Sequence, residues 1–411
     1  MQFTKHETKS GAPLWLFSVP HAQSVAAGVL VFAGTRDEVW PKEAGIAHAL
    51  EHMHFQGTKE FPTSKDVSEF IEEIGGRLNA WTWKEMTFYH AQTPVEYAKR
   101  IPKLLSEQMF FSTFPEEKIQ VEMKNIVQEI RRRNDSPGRL IGDIALQHLY
   151  GKHPLSKDTL GTEDSVMGFT KSDFLGFKER YYQPANFVFV VAGNIDGAKA
   201  VELFDEYFTN GGGVKNSRTP VPFEATSERN YVEKRDIEQL HLVMSAPVGA
   251  SNDQTTQHLS LFGTMISGGM SFPLFQEVRD KLGLCYEIHA SVEKLSDVGF
   301  FGVYIGTDHK RYKEAIEATQ EVIAKSKTDE QLLKKAKDVK LGRLALTFES
   351  MDDVIDIAAF DIASLGAPRG YEEIKKEIEA IQIGDITRAV DTYLAPEKLY
   401  TSMLVPRGFE E

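Results

Sequence analysis

His48-Ala49-Leu50-Glu51-His52 is the most informative stretch of this sequence. On a helix, residues i and i+4 lie about 40° apart around the axis, so the two histidine side chains would point the same way. Two neutral imidazoles on one face supply half of a zinc site, and a catalytic zinc needs three protein ligands. Glu51 lies beside both histidines, where its carboxylate can take a proton from water. The stretch predicts a metal centre; the alternative from these residues alone is a helix surface whose polar groups pair or cap.

A third ligand must come from another element, and a carboxylate is the expected type. The sequence predicts a helix over 116–133, and this helix offers Glu116, Glu117, Glu122 and Glu129. Glu122 and Glu129 are seven residues apart, about two helical turns, so they share a face. The spacing alone leaves open that each of them is a solvated side chain.

Length, charge and cysteine content narrow the class of protein. The 411 residues predict two or three domains with ample chain for hydrophobic cores. The net charge of −13 argues against nucleic-acid binding as the main activity. A single cysteine, Cys285, excludes an internal disulfide and all-cysteine metal sites, and we expect it to be a small buried residue. Because no targeting segment and no run of about 18 apolar residues is visible, we expect a cytoplasmic protein without membrane contact.

The two halves of the chain repeat one order of elements. Apolar runs predict strands at 14–19, 25–32, 78–83, 87–92 and 187–192, and again at 239–246, 286–292 and 299–306. Helical spacing predicts helices at 45–54, 65–74 and 116–133, and again at 255–266 and 273–281. Asp173 and Asp385 differ by 212 positions, and so do Pro184 and Pro396 in the Tyr-x-x-Pro sequences that follow them. A duplication explains this shared offset better than coincidence does.

Gly211-Gly212-Gly213 lies in a stretch rich in Pro, Ser and Thr, which is typical of a linker. We therefore expect an N-terminal half at 1–212, a linker at 213–228 and a C-terminal half at 229–411. No Lys-Ser/Thr pair follows the glycines, so we do not expect a phosphate-binding loop.

Further motifs accompany the pentapeptide His48–His52. Its order, His-x-x-Glu-His, is the inverzincin motif, and a Glu-x6-Glu pair ends at Glu129, 77 residues beyond His52. The other matching stretches are Phe55-x-Gly57-Thr58, Tyr182–Asn186 with Gly193-Asn194 after it, and Gly268–Tyr286. In these motifs, over essentially its whole length, the chain resembles the pitrilysin-type inverzincin metallopeptidases of the insulinase family. The resemblance is to the branch of mitochondrial processing peptidase and its bacterial relatives.

The resemblance implies a role for each polar residue of the motifs. His48, His52 and Glu129 are the expected Zn²⁺ ligands. Glu51 is the expected general base that activates water. Glu122 is expected to orient a ligand, because a ligating imidazole needs an acceptor for its other N–H group.

Substrate-binding residues also follow from the resemblance. Asn79-Ala80 resembles the family's peptide-binding strand, where an extended peptide pairs with an open strand edge. Arg279 and Tyr286 resemble a pair that binds a substrate carbonyl and stabilises the oxyanion. Composition alone would make Asn79 a turn residue, Arg279 a solvated helix end and Tyr286 an ordinary strand aromatic. His54 lies off the ligand face, and we expect it to be structural.

The resemblance implies an α+β fold of two homologous halves, each an antiparallel-rich β-sheet with helices packed on one face. Relatives combine four such halves around a clamshell chamber, so this chain of two halves is expected to dimerise. The zinc site of one subunit would then face the Arg/Tyr pair of its partner. Because the chain retains both features, a homodimer is favoured over a heterodimer with a degenerate sister chain. The expected function is zinc-dependent hydrolysis of unfolded peptides.

Two other functions stay open. One is a non-catalytic core or scaffold subunit, which the intact set of two histidines and two glutamates disfavours. The other is a dedicated processing peptidase for a single precursor peptide, which would use the same chemistry. The acidic net charge adds the hypothesis that peptides with basic residues are preferred; equal cleavage of acidic and basic variants of one peptide would contradict it.

Overall fold

The computed structural model describes residues 2–410. Its strands are β1 (Thr4–Glu7), β2 (Pro13–Ser18), β3 (Ser24–Val31), β4 (Arg77–Thr82), β5 (Thr87–Pro94), β6 (Phe187–Gly193), β7 (Asn230–Arg235), β8 (Leu240–Val248), β9 (Cys285–Lys294), β10 (Gly299–Thr307) and β11 (Tyr400–Pro406). Its helices are α1 (Ile46–Met53), α2 (Ser64–Glu72), α3 (Arg100–Phe111), α4 (Glu116–Asn134), α5 (Pro137–Tyr150), α6 (Glu163–Met167), α7 (Lys171–Tyr181), α8 (Gly197–Tyr207), α9 (Gln254–Ser267), α10 (Tyr312–Ser326), α11 (Glu330–Thr347), α12 (Met351–Leu365), α13 (Tyr371–Ala380) and α14 (Ile383–Tyr393), with a π-helix at Leu274–Lys281. Among these described helices, none is both long enough and apolar enough to cross a membrane.

Two sheets follow one plan. The strand order is β1-β2-β6-β3-β5-β4 in the first sheet and β7-β11-β8-β10-β9 in the second. In each sheet one parallel pair, β2 with β6 or β7 with β11, adjoins a run of antiparallel pairs. The strands β2, β6, β3, β5 and β4 therefore correspond in order to β7, β11, β8, β10 and β9. The prediction of an α+β fold with two homologous halves is confirmed.

The first sheet is covered on both faces. Val29 of β3 lies in the core that α3 and α8 help to form, whereas the next residue, Leu30, lies in a separate cluster with residues of α12. Every residue of β6 is buried. Two covered faces explain why Phe187–Gly193 is continuously apolar rather than alternating. The predicted helices on one face of the sheet are present, and α12 covers the opposite face as well.

Helices α5 and α12 pack outside their own sequence halves. One compact unit holds residues up to 131, 157–219 and 345–373, and the other holds 132–156, 220–344 and the residues from 374 onward. Accordingly α5 contacts β8 and β11, and α12 contacts β3 and β6. The predicted boundaries of the two sequence halves, at 1–212 and 229–411, stay a prediction, because the compact units divide the chain at other positions.

Candidate metal centre

The helix α1 carries the first part of the centre. Its apolar face, which includes Ala49 and Leu50, is buried in the core of the first unit. This packing fixes the helix and leaves His48, Glu51 and His52 half-buried on the remaining face. The two imidazole ring centroids lie 4.6 Å apart. The i, i+4 spacing therefore brings the histidines together as helix geometry predicts.

Glu38 and Gly45, which the sequence analysis did not identify, hold the N-terminus of α1. The Glu38 carboxylate accepts hydrogen bonds from the N–H of Gly45 at 2.9 Å and from the N–H of Ala47 at 3.1 Å. Burial raises the pKa of Glu38, and these two donors partly offset the rise. Gly45 has a φ of 86°, and a Cβ there would lie 2.5 Å from the carbonyl oxygen of Leu160, so only glycine fits. No local sequence signal marks a cap that begins seven residues before Gly45.

The three predicted ligands converge on one point. Oε2 of Glu129, on α4, lies 3.8 Å from Nε2 of His48 and 3.9 Å from Nε2 of His52. All three ligand atoms lie within 4.8 Å of one another. In a tetrahedral site with ligands 2.0–2.1 Å from the ion, ligand atoms are about 3.3 Å apart, so the Glu129 oxygen needs to approach each of the two imidazole nitrogens by only about 0.5 Å. Two imidazoles and one carboxylate are also a donor set that suits zinc.

The protonation state of His48 and the orientation of His52 suit metal binding. Burial, with a contribution from His52, lowers the pKa of His48 to about 3, so the ring is neutral at physiological pH. Burial also acts to lower the pKa of His52, but the hydrogen bond to Glu122 and the nearby carboxylates outweigh it and raise that pKa. Nδ1 of His52 lies 3.4 Å from Oε2 of Glu122, which leaves Nε2 directed toward Glu129. Glu122 has the contact expected of a carboxylate that orients a ligating imidazole.

Glu51 is a largely buried carboxylate beside this group. Burial raises its pKa, and a hydrogen bond from Thr82 acts in the opposite direction. The Thr82 hydroxyl donates to Oε2 of Glu51 over 2.5 Å. A carboxyl group with a raised pKa is a better proton acceptor than an ordinary carboxylate. The sequence analysis missed Thr82, which is 31 residues from Glu51.

Asn79 and Ala80 lie in the middle of β4. They pair with His90 and Tyr89 of β5, and β4 has no strand on its other side among the described strands. Asn79 is exposed and Ala80 is buried. The open edge that the family resemblance implies is present, on the strand that ends at Thr82.

Arg279 and Tyr286 belong to the other compact unit. Arg279 lies on the π-helix, with its guanidinium carbon 4.6 Å from the ring centroid of Phe275. Tyr286, near the start of the edge strand β9, is 58% exposed. The structure therefore assembles the zinc motif and the α4 glutamates within one unit and does not join the Arg279–Tyr286 pair to them there. Both residues are exposed to solvent in this chain.

Two residues that were expected to be structural are buried. Nδ1 of His54 lies 2.8 Å from the Tyr89 hydroxyl, which lies 2.9 Å from the Tyr182 hydroxyl. Burial lowers the pKa of His54 well below its usual value. Burial also raises the pKa of the Cys285 thiol to about 11, so little reactive thiolate forms.

Known proteins resemble the chain over nearly its full length. Residues 16–163 match the model of the insulinase family, peptidase family M16, and residues 168–340 match the model described as the peptidase M16 inactive domain. The uncharacterized zinc protease YmxG of Bacillus subtilis is 30% identical over 409 residues, which cover 98% of each chain. A protease from Helicobacter pylori has a crystal structure with a TM-score of 0.89 at 23% identity, covering 98% of this chain and 99% of that one. A Pseudomonas fluorescens structure described as a peptidase M16 inactive domain has a TM-score of 0.89 at 18% identity, covering 100% of this chain and 99% of that one.

The sequence of α9 agrees with the description of the second family model as an inactive domain. This helix follows β8 in the second half as α1 follows β3 in the first, but its sequence, QTTQHLSLFGTMIS, contains one histidine and no carboxylate. It therefore cannot supply two imidazoles and a base. Two family models that together match most of the chain, and a full-length relative at 30% identity, show that the chain belongs to peptidase family M16, the insulinase family.

Proposed function

We propose that this chain is a zinc-dependent endopeptidase that hydrolyses unfolded peptides, with Glu51 as the general base. The observation that carries the proposal is the convergence of two imidazole nitrogens and one carboxylate oxygen beside a second, partly buried carboxylate. Metal-assisted hydrolysis needs this combination of three protein ligands and a base. The name of the Bacillus subtilis relative, an uncharacterized zinc protease, supports the same chemistry.

Each residue of the centre has a distinct task in this proposal. His48, His52 and Glu129 would hold the metal, and Glu122 would keep the His52 ring in place. A bound zinc ion supplies Lewis-acid polarisation of a carbonyl group and lowers the pKa of water. Glu51 takes a proton from water and later returns it to the leaving amine. Its partial burial limits competition from bulk water for that proton.

The open edge of β4 is the proposed peptide-binding element. An extended peptide added there would form main-chain hydrogen bonds with β4, which gives affinity without strict sequence requirements. The exposed amide of Asn79 can both donate to and accept from a peptide backbone. Because Thr82 of the same strand contacts Glu51, a peptide on this edge would lie beside the base.

A second copy of the chain is proposed to complete the site with its Arg/Tyr pair. A guanidinium and a phenol are donors that a developing oxyanion requires, and both residues are exposed here. In the metallopeptidases that the sequence resembles, four such halves surround the chamber, and this chain supplies two. A homodimer with two sites, each built from both chains, satisfies that count.

A non-catalytic subunit is the second candidate function. The observation that favours it is the match of residues 168–340 to a model described as an inactive domain. The retained zinc motif in the first half argues against it, because a scaffold has no use for three convergent ligands and a base.

Mass spectrometry of a defined peptide pool separates these functions. We expect the zinc-loaded chain to create new internal termini in many unrelated peptides. The Glu51→Gln variant, purified in the same way, should create far fewer, which excludes a contaminating protease. Cleavage confined to one peptide sequence would favour a dedicated processing peptidase. No cleavage by zinc-loaded protein would contradict the peptidase proposal and favour the non-catalytic subunit.

A further inference from the structure

The hydroxyl of Thr82 is attached to the carboxylate that the proposed function uses as its base. It donates to Oε2 of Glu51 over 2.5 Å, a short distance for a hydroxyl bonded to a charged acceptor. Among the described residues, no other group donates a hydrogen bond to this carboxylate. Oε1 accepts no hydrogen bond from the described residues and is therefore open to a proton from water.

Thr82 is itself held by the hairpin between β4 and β5. It is paired with Thr87, whose hydroxyl lies 3.5 Å away and donates to the carbonyl oxygen of Ala33 over 2.9 Å. Trp83 and Met86 close the turn through a backbone hydrogen bond of 2.8 Å. The position of the Thr82 hydroxyl is therefore set by the sheet and not by a flexible loop.

A buried ion pair fixes the tip of the same hairpin. Arg36 and Glu85 lie 2.7 Å apart, and each side chain is only 4% exposed. The N–H of Arg36 also donates to the carbonyl oxygen of Lys84 over 2.8 Å. An ion pair excluded from water tolerates little displacement, because separating its charges would leave them unpaired in a low-dielectric environment. The turn end of the hairpin, which presents Thr82 to Glu51, is thus held by several contacts.

We propose that Thr82 is a positioning residue that holds Glu51 in the orientation required for proton transfer. The inference rests on the proposed function, because it assigns Glu51 the role of base. It also joins two parts of that function, since Asn79 and Thr82 lie three residues apart on one strand. The edge that receives the peptide and the group that orients the base are parts of one rigid element. A peptide docked on β4 therefore meets a base whose position is already set.

Loss of the hydroxyl has a specific expected consequence. Without its donor, the Glu51 carboxylate is free to rotate or to bond to solvent, so fewer molecules hold it ready for proton transfer. The backbone edge of β4 is unchanged by a side-chain substitution, so peptide binding should be preserved. The effect should consequently appear in kcat and not in KM.

Four forms of the full chain test this role: wild type, Thr82→Val, Thr82→Ser and Thr93→Val. Thr93→Val is the matched control, because Thr93 is a buried threonine of the same hairpin whose hydroxyl has no hydrogen-bond partner among residues 2–410. We expect Thr82→Val to lower kcat roughly 10- to 100-fold, as for the loss of one hydrogen bond to a charged group. KM should stay within about twofold and the zinc content should be unchanged. Thr82→Ser should restore most of kcat, and Thr93→Val should resemble the wild type.

The outcomes separate this role from the function on which it rests. A kcat for Thr82→Val equal to that of Thr93→Val would overturn the positioning role and leave the peptidase proposal intact. A rise in KM with unchanged kcat would also overturn it, in favour of a contact with substrate. A wild type that binds zinc but cleaves nothing would contradict the proposed function, and the positioning role with it. Crystal structures of the wild type and of Thr82→Val test the role without substrate. We expect one orientation of the Glu51 carboxylate in the wild type and several in Thr82→Val. The same single orientation in both structures would count against the positioning role.

Discussion

Replacing Glu51 by glutamine is expected to lower kcat by about 10²- to 10⁴-fold while the protein keeps its zinc. Glutamine has nearly the same size, and its carbonyl oxygen can still accept the hydrogen bond from Thr82. Its amide cannot take a proton from water, so the step assigned to Glu51 is lost. Zinc should be retained because Glu51 is not one of the three convergent ligands. Steady-state hydrolysis of a quenched peptide, with metal analysis of the same sample, measures both quantities.

Glu117→Gln is the matched control for this experiment. It makes the same chemical change at an exposed glutamate of α4 that lies outside the ligand group. We expect it to keep the kcat and the zinc content of the wild type. A Glu51→Gln variant as active as this control would rule out Glu51 as the base. Loss of zinc from Glu51→Gln would indicate that Glu51 holds the metal instead.

The second large effect is expected at Tyr286 and tests the proposed dimer. Tyr286→Phe alone should lower kcat about 10²- to 10³-fold, because it removes one donor to the developing oxyanion. Zinc should remain, since Tyr286 and the ligands belong to different compact units. When Tyr286→Phe chains are mixed equally with Glu51→Gln chains, half of the dimers should be mixed. One of the two sites in each mixed dimer is then intact, so about a quarter of the wild-type activity should return.

The return of activity depends on exchange of chains, which native mass spectrometry of the mixture verifies. Tyr97→Phe is the control, because Tyr97 is also exposed but plays no part in the proposed site. Mixing it with Glu51→Gln should give no activity beyond that of the Tyr97→Phe chains. Full activity in Tyr286→Phe would refute the oxyanion role. Verified exchange without recovered activity would refute a site shared between two chains.

The elements that carry the metal ligands could be predicted because their signals are local. The predicted helices at 45–54 and 116–133 agree with Ile46–Met53 and Glu116–Asn134 to within about two residues. Residues i and i+4 share a helix face whatever surrounds the helix, so the proximity of His48 and His52 needed no tertiary information. The resemblance to a family then selected Glu129 from four candidate glutamates, which spacing alone could not do.

The contacts that support the site could not be predicted, because their partners are distant in sequence. Glu38 caps a helix from a preceding loop, and Thr82 reaches Glu51 only after β4 has joined the sheet. No propensity distinguishes these two residues from other glutamates and threonines. The helix predicted at 273–281 forms a π-helix over Leu274–Lys281, a difference that apolar spacing over eight residues does not encode. The placement of α12 on the first sheet likewise depends on contacts between separate halves of the sequence.

Zinc titration of the metal-free protein, followed by hydrolysis of a quenched peptide, measures whether His48, His52 and Glu129 form a catalytic metal centre. All three ligands come from one chain, so each chain should bind one ion independently of its partner. We expect no hydrolysis without metal, a rise in proportion to the zinc added, and a plateau at one zinc ion per chain. Hydrolysis by the metal-free protein, or a fully zinc-loaded protein that leaves the peptide intact, would contradict this assignment.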